Sequence, residues 1–133
     1  MKLTHILFDL DNTLYPASTG IFPEIARRMT AFVAEFFSCD TTRAETIRRE
    51  YARRFGTTLG GLLAVGGLQD PELFLERVHP ENVADYIPKN AALGKMLAAL
   101  PYSKAVLTNS PREHAERVLE RLEIRSFFPH VFD

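Results

Sequence analysis

The chain has 133 residues, of which 46% are hydrophobic, and its 16 lysines and arginines nearly balance its 17 aspartates and glutamates, giving a net charge of -1. This length fits one globular domain, or a small core with an insertion, and the composition excludes a disordered chain. The balanced charge provides no field that would attract nucleic acid or an acidic membrane, so an anionic ligand has to be held locally.

The single cysteine, Cys39, cannot form an intramolecular disulfide, so folding depends on packing and the sequence suits a reducing compartment. The amino terminus meets acidic residues just after Phe8 and therefore lacks the apolar region of a signal peptide. No segment is long and apolar enough to span a membrane. We predict a cytoplasmic protein that has neither nucleic acid nor a membrane as its partner.

The first predicted element is a strand over residues 3–8. This run is nearly all apolar and partly β-favouring, which is typical of a parallel-sheet strand that is covered on both faces. The strand leads directly into "DLDNTLYP", in which Asp9 and Asp11 precede a turn-forming Asn-Thr pair and a proline. A strand that ends in concentrated negative charge is a candidate functional site.

Residues 16–89 show helical periodicity and no convincing strand. "IFPEIARRMTAFVAEFF" predicts one helix, and "TTRAETIRREYARRFG" predicts a second with Thr42 and Glu45 as a capping box. "DPELFLERV" predicts a shorter helix that is capped by Asp70, with Pro71 at its first position. A helical bundle therefore interrupts the sheet domain. The basic run of the second helix is interpreted as a solvated face, with a role toward an anionic substrate as the alternative; it comprises Arg43, Arg48, Arg49, Arg53 and Arg54.

The sheet pattern returns in the last third of the chain. "NAALGKMLAALP" predicts a helix capped by Asn90, "KAVLTN" at 104–109 predicts the second strand, and "HVFD" at 130–133 predicts the third. Between these strands, "SPREHAERVLERLEI" predicts a helix with Ser110 as N-cap and Pro111 at the first helical position. This alternation of strands and helices is that of an α/β fold with an open parallel sheet.

Ligands of open parallel sheets bind at the carboxyl ends of the strands, where both polar clusters of this sequence lie. Residues i and i+2 of an extended chain point to the same side, so Asp9 and Asp11 are expected to converge. Two close carboxylates need a cation between them or a proton on one of them, and both conditions serve phosphoryl transfer. Asp9 would attack phosphorus to form an aspartyl phosphate, and Asp11, with a raised pKa, would protonate the leaving alkoxide.

Other interpretations of these clusters stay open at this point. The acidic cluster also fits a polar turn that caps the strand, or a calcium loop, although Leu14 occupies the position where a calcium loop has glycine. Thr108, Asn109 and Ser110 predict a phosphate site, because a threonine hydroxyl and the backbone N–H groups at the start of a helix bind anions. Ordinary helix capping is the alternative for this second cluster.

The motif "FDLDNTLYP" resembles the first motif of the haloacid dehalogenase superfamily, and "VLTNS" resembles its second. The helical insertion is similar to the cap of many members, which implies a partial Rossmann-like core at 1–15 and 90–133 and a helical cap at 16–89. "FGTTLGGL", "FLERVHPENVADYI" and "TNSPREHAERVLERLEI" more narrowly resemble the pyrimidine 5'-nucleotidase-like branch.

This resemblance implies a Mg²⁺-dependent phosphomonoester hydrolase that acts on nucleoside monophosphates or similar small phosphorylated metabolites. By it, Asp9 would be the nucleophile and a magnesium ligand. Asp11 would be the acid/base and would offer its backbone carbonyl to magnesium. Thr108 and Asn109 would bind the phosphate.

Two further groups of residues are of types that could have a role in function. In "GTTLGG", Thr57 and Thr58 would contact the substrate from the cap, and a plain helix break is the equal alternative. The histidines show no metal-ligand spacing and are interpreted as structural or surface residues; they are His5, His79, His114 and His130.

Two further family motifs, a basic residue near the phosphate and an acidic pair that completes the magnesium site, do not occur before Asp133. We therefore expect these residues to be the front part of a longer enzyme. Magnesium affinity should then be weak, and the first strand should form an exposed edge that favours association between copies. The alternative function is a catalytically incompetent remnant that acts as a binding or assembly module. A phosphotransferase that uses an acceptor other than water is a second alternative.

Overall fold

The computed structural model describes residues 2–133, which form two compact units. The sheet unit comprises the chain up to Phe22 together with Glu81–Asp133, and the helical unit comprises Pro23–Pro80. These divisions lie inside the helical segment 16–89 of the sequence, and the assignment of that segment as a cap stays a prediction. The regular elements, in chain order, are β1 (His5–Phe8), α1 (Ile21–Phe37), α2 (Thr41–Phe55), α3 (Thr58–Gly61), α4 (Pro71–Val78), α5 (Ala91–Ala99), β2 (Ser103–Leu107), α6 (Arg112–Arg121) and β3 (His130–Phe132).

The three strands form a parallel sheet in the order β1-β2-β3, as the apolar runs predict. Phe8 pairs with Val106, and Val106 pairs with Val131, so the three strands are in register at their carboxyl ends. Short 3₁₀ turns at Ala17–Thr19, Val83–Asp85 and Arg125–Phe127 complete the sheet unit. The chain is therefore an α/β protein with a partial Rossmann-like core.

Only one face of the sheet is buried. Val106 and Val131 lie on the covered face, and the ring of Phe8 packs edge-on against Phe128 with 5.6 Å between ring centroids. The opposite face exposes Leu7 and Leu107, so the prediction of strands covered on both faces is wrong for the described residues. The physical reason is that no helix among residues 2–133 covers this face, so its apolar side chains stay in contact with water. Within the same residues, β1 pairs with β2 alone and is an edge strand, as predicted.

The helical unit has its own core, to which every helix of the unit contributes. The ring of Phe74 on α4 meets that of Phe32 on α1 edge-on, with 5.1 Å between centroids. Gly61, at the end of α3, lies so close to the Tyr51 ring of α2 that a side chain would not fit between them. A π-helical turn, Leu62–Gly66, follows Gly61 directly. The buried residues of this core are Phe32, Val33, Ala44, Leu62, Leu68, Phe74 and Val78.

Two of the four helix N-caps predicted from the sequence are confirmed. The carboxylate of Asp70 accepts the backbone N–H of Leu73, and the amide oxygen of Asn90 accepts that of Leu93, so both predicted N-caps are confirmed. The capping box of α2 is wrong, because Asp40 caps that helix one residue before Thr41. The Ser110 cap is wrong as well, because α6 begins one residue later than predicted and the Ser110 hydroxyl is used elsewhere.

Within residues 2–133, every helix is too short or too polar to cross a lipid bilayer.

Candidate active site

The acidic motif forms a tight turn at the carboxyl end of β1. Leu10 and Leu14 are buried and anchor the turn, and the Leu14 N–H donates to the Leu10 carbonyl at 2.9 Å. Asn12 adopts the left-handed conformation at φ 61°, which asparagine tolerates better than most residues. The turn therefore holds Asp9 and Asp11 on either side of a buried leucine.

Asp9 presents its carboxylate at the surface of the sheet unit. The Thr13 hydroxyl donates to its Oδ2 atom at 3.1 Å. Oδ1 accepts no hydrogen bond from the described part of the chain, so its lone pairs are open to a ligand or to water. An exposed carboxylate that is held by one neighbour is suited to act as a nucleophile or a metal ligand.

Asp11 is half-buried and accepts hydrogen bonds from three side chains. The Tyr15 hydroxyl donates to Oδ1 at 2.5 Å, and Nε2 of His114 lies 2.9 Å from the same oxygen. The Ser110 hydroxyl donates to Oδ2. Because an ionised carboxylate only accepts, the Nε2 atom of His114 has to carry the hydrogen of that contact. Residues from two distant segments of the sequence therefore meet at one carboxylate.

This environment favours the charged form of Asp11. Burial raises its pKa, but the hydrogen bond and charge of His114, followed by the hydrogen bonds from Ser110 and Tyr15, outweigh burial and lower the pKa below its usual value. The expected raised pKa of Asp11 is therefore wrong for this state, because three donors offset the cost of burying the charge. Burial and the charges of Asp11 and Asp9 raise the pKa of the Tyr15 hydroxyl, so both carboxylates act on the same phenol.

The second polar cluster follows β2, next to the acidic turn. Thr108 is buried, and its Oγ1 atom accepts the backbone N–H of Ser110 at 3.0 Å. Asn109 is exposed. The first N–H of α6, that of Arg112, donates to the Asp133 carboxylate at 3.1 Å. Two of the backbone donors near the start of this helix are therefore already occupied, while the Asn109 side chain and the hydrogen of the Thr108 hydroxyl remain as candidates for binding phosphate.

Pairing of β1 with β2 brings the two clusters together, as the sequence predicted for neighbouring strands. The contact between Ser110 and Asp11 joins positions that are 99 residues apart. The model of the haloacid dehalogenase-like hydrolase family matches residues 3–133 of the chain. The chain belongs to the haloacid dehalogenase-like hydrolase family.

One curated relative of the chain is Phosphate metabolism protein 8 of Saccharomyces cerevisiae (strain ATCC 204508 / S288c). The two sequences are 27% identical over 134 aligned residues, which include 93% of the present chain. The chain spans 41% of the length of that relative. The similarity therefore extends across both units of the chain.

The Mg²⁺ that the family implies would have one clear ligand residue among those described, the exposed Asp9. Magnesium takes six oxygen ligands and usually keeps several waters among them. Three side chains already donate to the Asp11 carboxylate, so that residue would contribute its backbone carbonyl, as the resemblance implies. Among residues 2–133, no group of three or more His, Cys, Asp or Glu side chains lies close enough to hold a metal. The described residues thus fit part of a magnesium shell.

Tyr15 and His114 are the residues of this site that the sequence did not reveal. His114 is fully buried on α6 and contacts Asp11, so of the two predicted options, structural or surface, the surface one is wrong. A signal was present: His114 precedes Val118 by four positions, so it lies on the apolar stripe of its helix. Tyr15 follows Asp11 by four positions and is also buried.

The two predicted cap residues belong to the helical unit. Thr57 caps α3, since its hydroxyl oxygen accepts the N–H of Gly60 at 2.9 Å. Thr58 is 4% exposed, and its hydroxyl donates to the Arg48 carbonyl at 3.4 Å. Both hydroxyls take part in the local fold, and contact with a substrate stays a prediction for each.

Proposed function

We propose that this chain carries the nucleophile and the acid/base of a Mg²⁺-dependent phosphomonoester hydrolase. The main support is the turn after β1, where an exposed Asp9 carboxylate adjoins an Asp11 carboxylate that three side chains hold. One carboxylate is accessible to a substrate, and the other is fixed beside it. This difference in environment separates the two roles that a covalent phosphatase mechanism needs.

The proposed reaction has two displacements at phosphorus. In the first, Oδ1 of Asp9 attacks the substrate phosphorus, the bond from phosphorus to the leaving oxygen breaks, and protonated Asp11 gives its proton to that oxygen. In the second, Asp11 takes a proton from water as the water oxygen attacks phosphorus. The bond between Asp9 and phosphorus then breaks and releases inorganic phosphate.

Thr108 and Asn109 are proposed to bind the phosphate oxygens at the end of β2. A bound Mg²⁺, held by Asp9 and the Asp11 carbonyl, would offset the repulsion between the carboxylate and the anionic substrate. In the state described here Asp11 is a carboxylate, which is the form required to activate water in the second displacement. The first displacement requires substrate binding to deliver or retain a proton on this residue.

The substrate is proposed to be a small phosphate monoester, with nucleoside monophosphates as the first group to test. Two observations support this class: the sequence resembles pyrimidine 5'-nucleotidases, and the curated relative is named as a phosphate metabolism protein. The near-neutral net charge provides no global field that would select a polyanion.

The deciding experiment measures phosphate release from nucleoside monophosphates and sugar phosphates, with Mg²⁺ and with EDTA. Asp9→Asn should abolish turnover, because the amide is a poor nucleophile, and acid-quenched protein should carry ³²P in the wild type alone. Asp70→Asn is the matched control, since asparagine caps a helix as well as aspartate does. Equal turnover in Asp9→Asn and wild type would exclude the proposed nucleophile.

The alternative is a module that binds phosphorylated ligands without turning them over. It is favoured by one observation, the absence of a complete metal-binding cluster from residues 2–133. Calorimetric binding of a nucleoside monophosphate, without phosphate release at any Mg²⁺ concentration, would establish this alternative and refute the hydrolase. Turnover that depends on Asp9 would exclude it.

A further inference from the structure

The inference concerns Asp11 and rests on the proposed function. Its two carboxylate oxygens have unequal surroundings. Oδ1 accepts from both Tyr15 and His114, whereas Oδ2 accepts only from Ser110. Each carboxylate oxygen has two lone pairs in its plane. Oδ1 therefore has both lone pairs occupied, while Oδ2 keeps one for a further partner.

We propose that Tyr15 and His114 are positioning residues that orient Asp11 so that its proton exchange with substrate and water takes place at Oδ2. Neither residue touches the reacting atoms in this assignment. Each acts through the carboxylate, which could otherwise rotate about its terminal torsion, a broad and weakly restrained rotation in aspartate. Two donors on one oxygen fix that rotation.

Both donors are buried. His114 is fully buried on α6, together with Ala115 and Val118 of the same helix, and Tyr15 is 2% exposed. The histidine arrives from 103 positions further along the chain, and the tyrosine arrives from the same turn as Asp11. Because the donors come from separate elements, motion of one element does not release the carboxylate. An acid/base group held in this way keeps the short, aligned geometry that proton transfer requires.

Ser110 completes the arrangement at the other oxygen. It belongs to the polar cluster after β2, which is the proposed phosphate-binding segment, and its hydroxyl donates to Oδ2. A substrate held by Thr108 and Asn109 would therefore approach Asp11 from the side of Oδ2. This location agrees with proton transfer at that oxygen and not at Oδ1.

The first test needs no catalysis and uses the full chain. In ¹⁵N-labelled wild type, the Nε2–H proton of His114 should be observable by NMR, because a buried hydrogen bond protects it from exchange with water. In Asp11→Ala this signal should shift strongly or vanish, while the ring signals of the exposed His130 should not change. An unchanged His114 signal would overturn the contact and with it the proposal.

The second test separates positioning from stability by the choice of leaving group. An alkyl phosphate needs a proton on its leaving oxygen, whereas 4-nitrophenyl phosphate needs little help. General acid catalysis contributes about 10²–10⁴-fold to such reactions, so Tyr15→Phe should lower kcat for the alkyl ester by about tenfold or more, with little change for the aryl ester or in KM. Tyr102→Phe, which removes a tyrosine hydroxyl elsewhere in the sheet unit, should change neither.

Histidine replacements provide the conservative rescue. His114→Gln keeps an N–H donor near the position of Nε2 and should retain more alkyl-ester turnover than His114→Leu, which has a similar volume and no donor. Equal losses for both replacements, or equal losses for both esters, would overturn the positioning role. If the wild type turned over neither ester, the hydrolase proposal would fail, and the NMR signal of His114 would still decide whether the carboxylate is held as proposed.

Discussion

Gly61 provides the sharpest test of the packing in the helical unit. Its backbone is in the ordinary right-handed helical region, with φ -68° and ψ -41°, so glycine is not required there by conformation. Glycine is required because there is no space for a side chain. A Cβ atom at this position would lie 2.2 Å from Cγ and 2.3 Å from Cβ of Tyr51. Real Cβ atoms essentially never approach another heavy atom within 3.0 Å. Gly61→Ala must therefore displace Tyr51.

The loss of unfolding free energy caused by Gly61→Ala can be estimated from the atoms that clash. Overpacking of a core costs about 1–3 kcal/mol, and the upper end applies here because one of the clashing atoms is the Tyr51 Cβ, which moves only with α2. The tyrosine ring is also held edge-on between Phe37 and Phe55, at centroid distances of 6.4 and 5.9 Å. Replacing a helical glycine by alanine stabilises the helix by up to about 1 kcal/mol, which offsets part of this loss. The expected net loss of unfolding free energy is about 2 kcal/mol.

Urea unfolding followed by circular dichroism measures this loss. With a urea slope of about 1–3 kcal/mol per molar, the midpoint should fall by roughly 1 M. Gly94→Ala is the matched control: Gly94 also lies in a helix, α5, but no atom lies within 4 Å of its Cβ position, so the replacement should be neutral or stabilising. In a Tyr51→Ala background, Gly61→Ala should cost little. Equal midpoint shifts for the two glycine replacements would refute the steric reasoning.

Three further predictions concern the helical unit. Asp40→Ala should lower the unfolding free energy by about 1 kcal/mol in urea melts, because it removes the 2.7 Å bond to the Arg43 N–H; Asp40→Asn should not. Hydrogen bonds from two arginines lower the pKa of Glu24 from 4.5 to about 2, so its stabilisation is complete above pH 4.5 and is lost as pH falls toward 2. Glu24→Gln should therefore unfold at lower urea than wild type near neutral pH, with a gap that narrows on acidification; a constant gap would contradict this. Phe74→Ala should cost about 3–5 kcal/mol, against little for the exposed Leu73→Ala, and similar losses for both would place Phe74 outside the core.

Local patterns were sufficient for most of the regular elements. The apolar runs predicted three parallel strands, and Asp70 and Asn90 predicted two helix starts, because a strand pattern and an N-cap depend on residues within a few positions of each other. The same local reasoning was off by one residue at α6 and chose the wrong cap for α2. At α2, Asp40 and Thr42 are both residue types that cap helices, so the sequence leaves the choice open. At α6, the Ser110 hydroxyl bonds to Asp11, and Pro111 precedes the helix without a side-chain cap.

The motif after β1 and the polar segment after β2 also followed from sequence. Asp9 and Asp11 directly follow an apolar run, and the carboxyl ends of parallel strands meet at one edge of a sheet. The charge state of Asp11 could not be predicted from the sequence. The sequence suggested a raised pKa from two adjacent carboxylates, whereas the structure lowers the pKa chiefly through His114, with Ser110 and Tyr15. His114 and Ser110 lie 103 and 99 positions from Asp11, so the motif alone could not show them.

The amino-acid sequence by itself therefore determined the family, the order of strands and helices, and the identity of the two carboxylates, since each depends on short-range pattern. Only the tertiary structure decided what surrounds them. Pairing of β1 with β2 carries His114 and Ser110 from the far end of the chain to Asp11, and turn geometry brings Tyr15 to the same oxygen as His114. Hydrogen bonds depend on distance in space, and the fold alone makes residues 103 positions apart into neighbours.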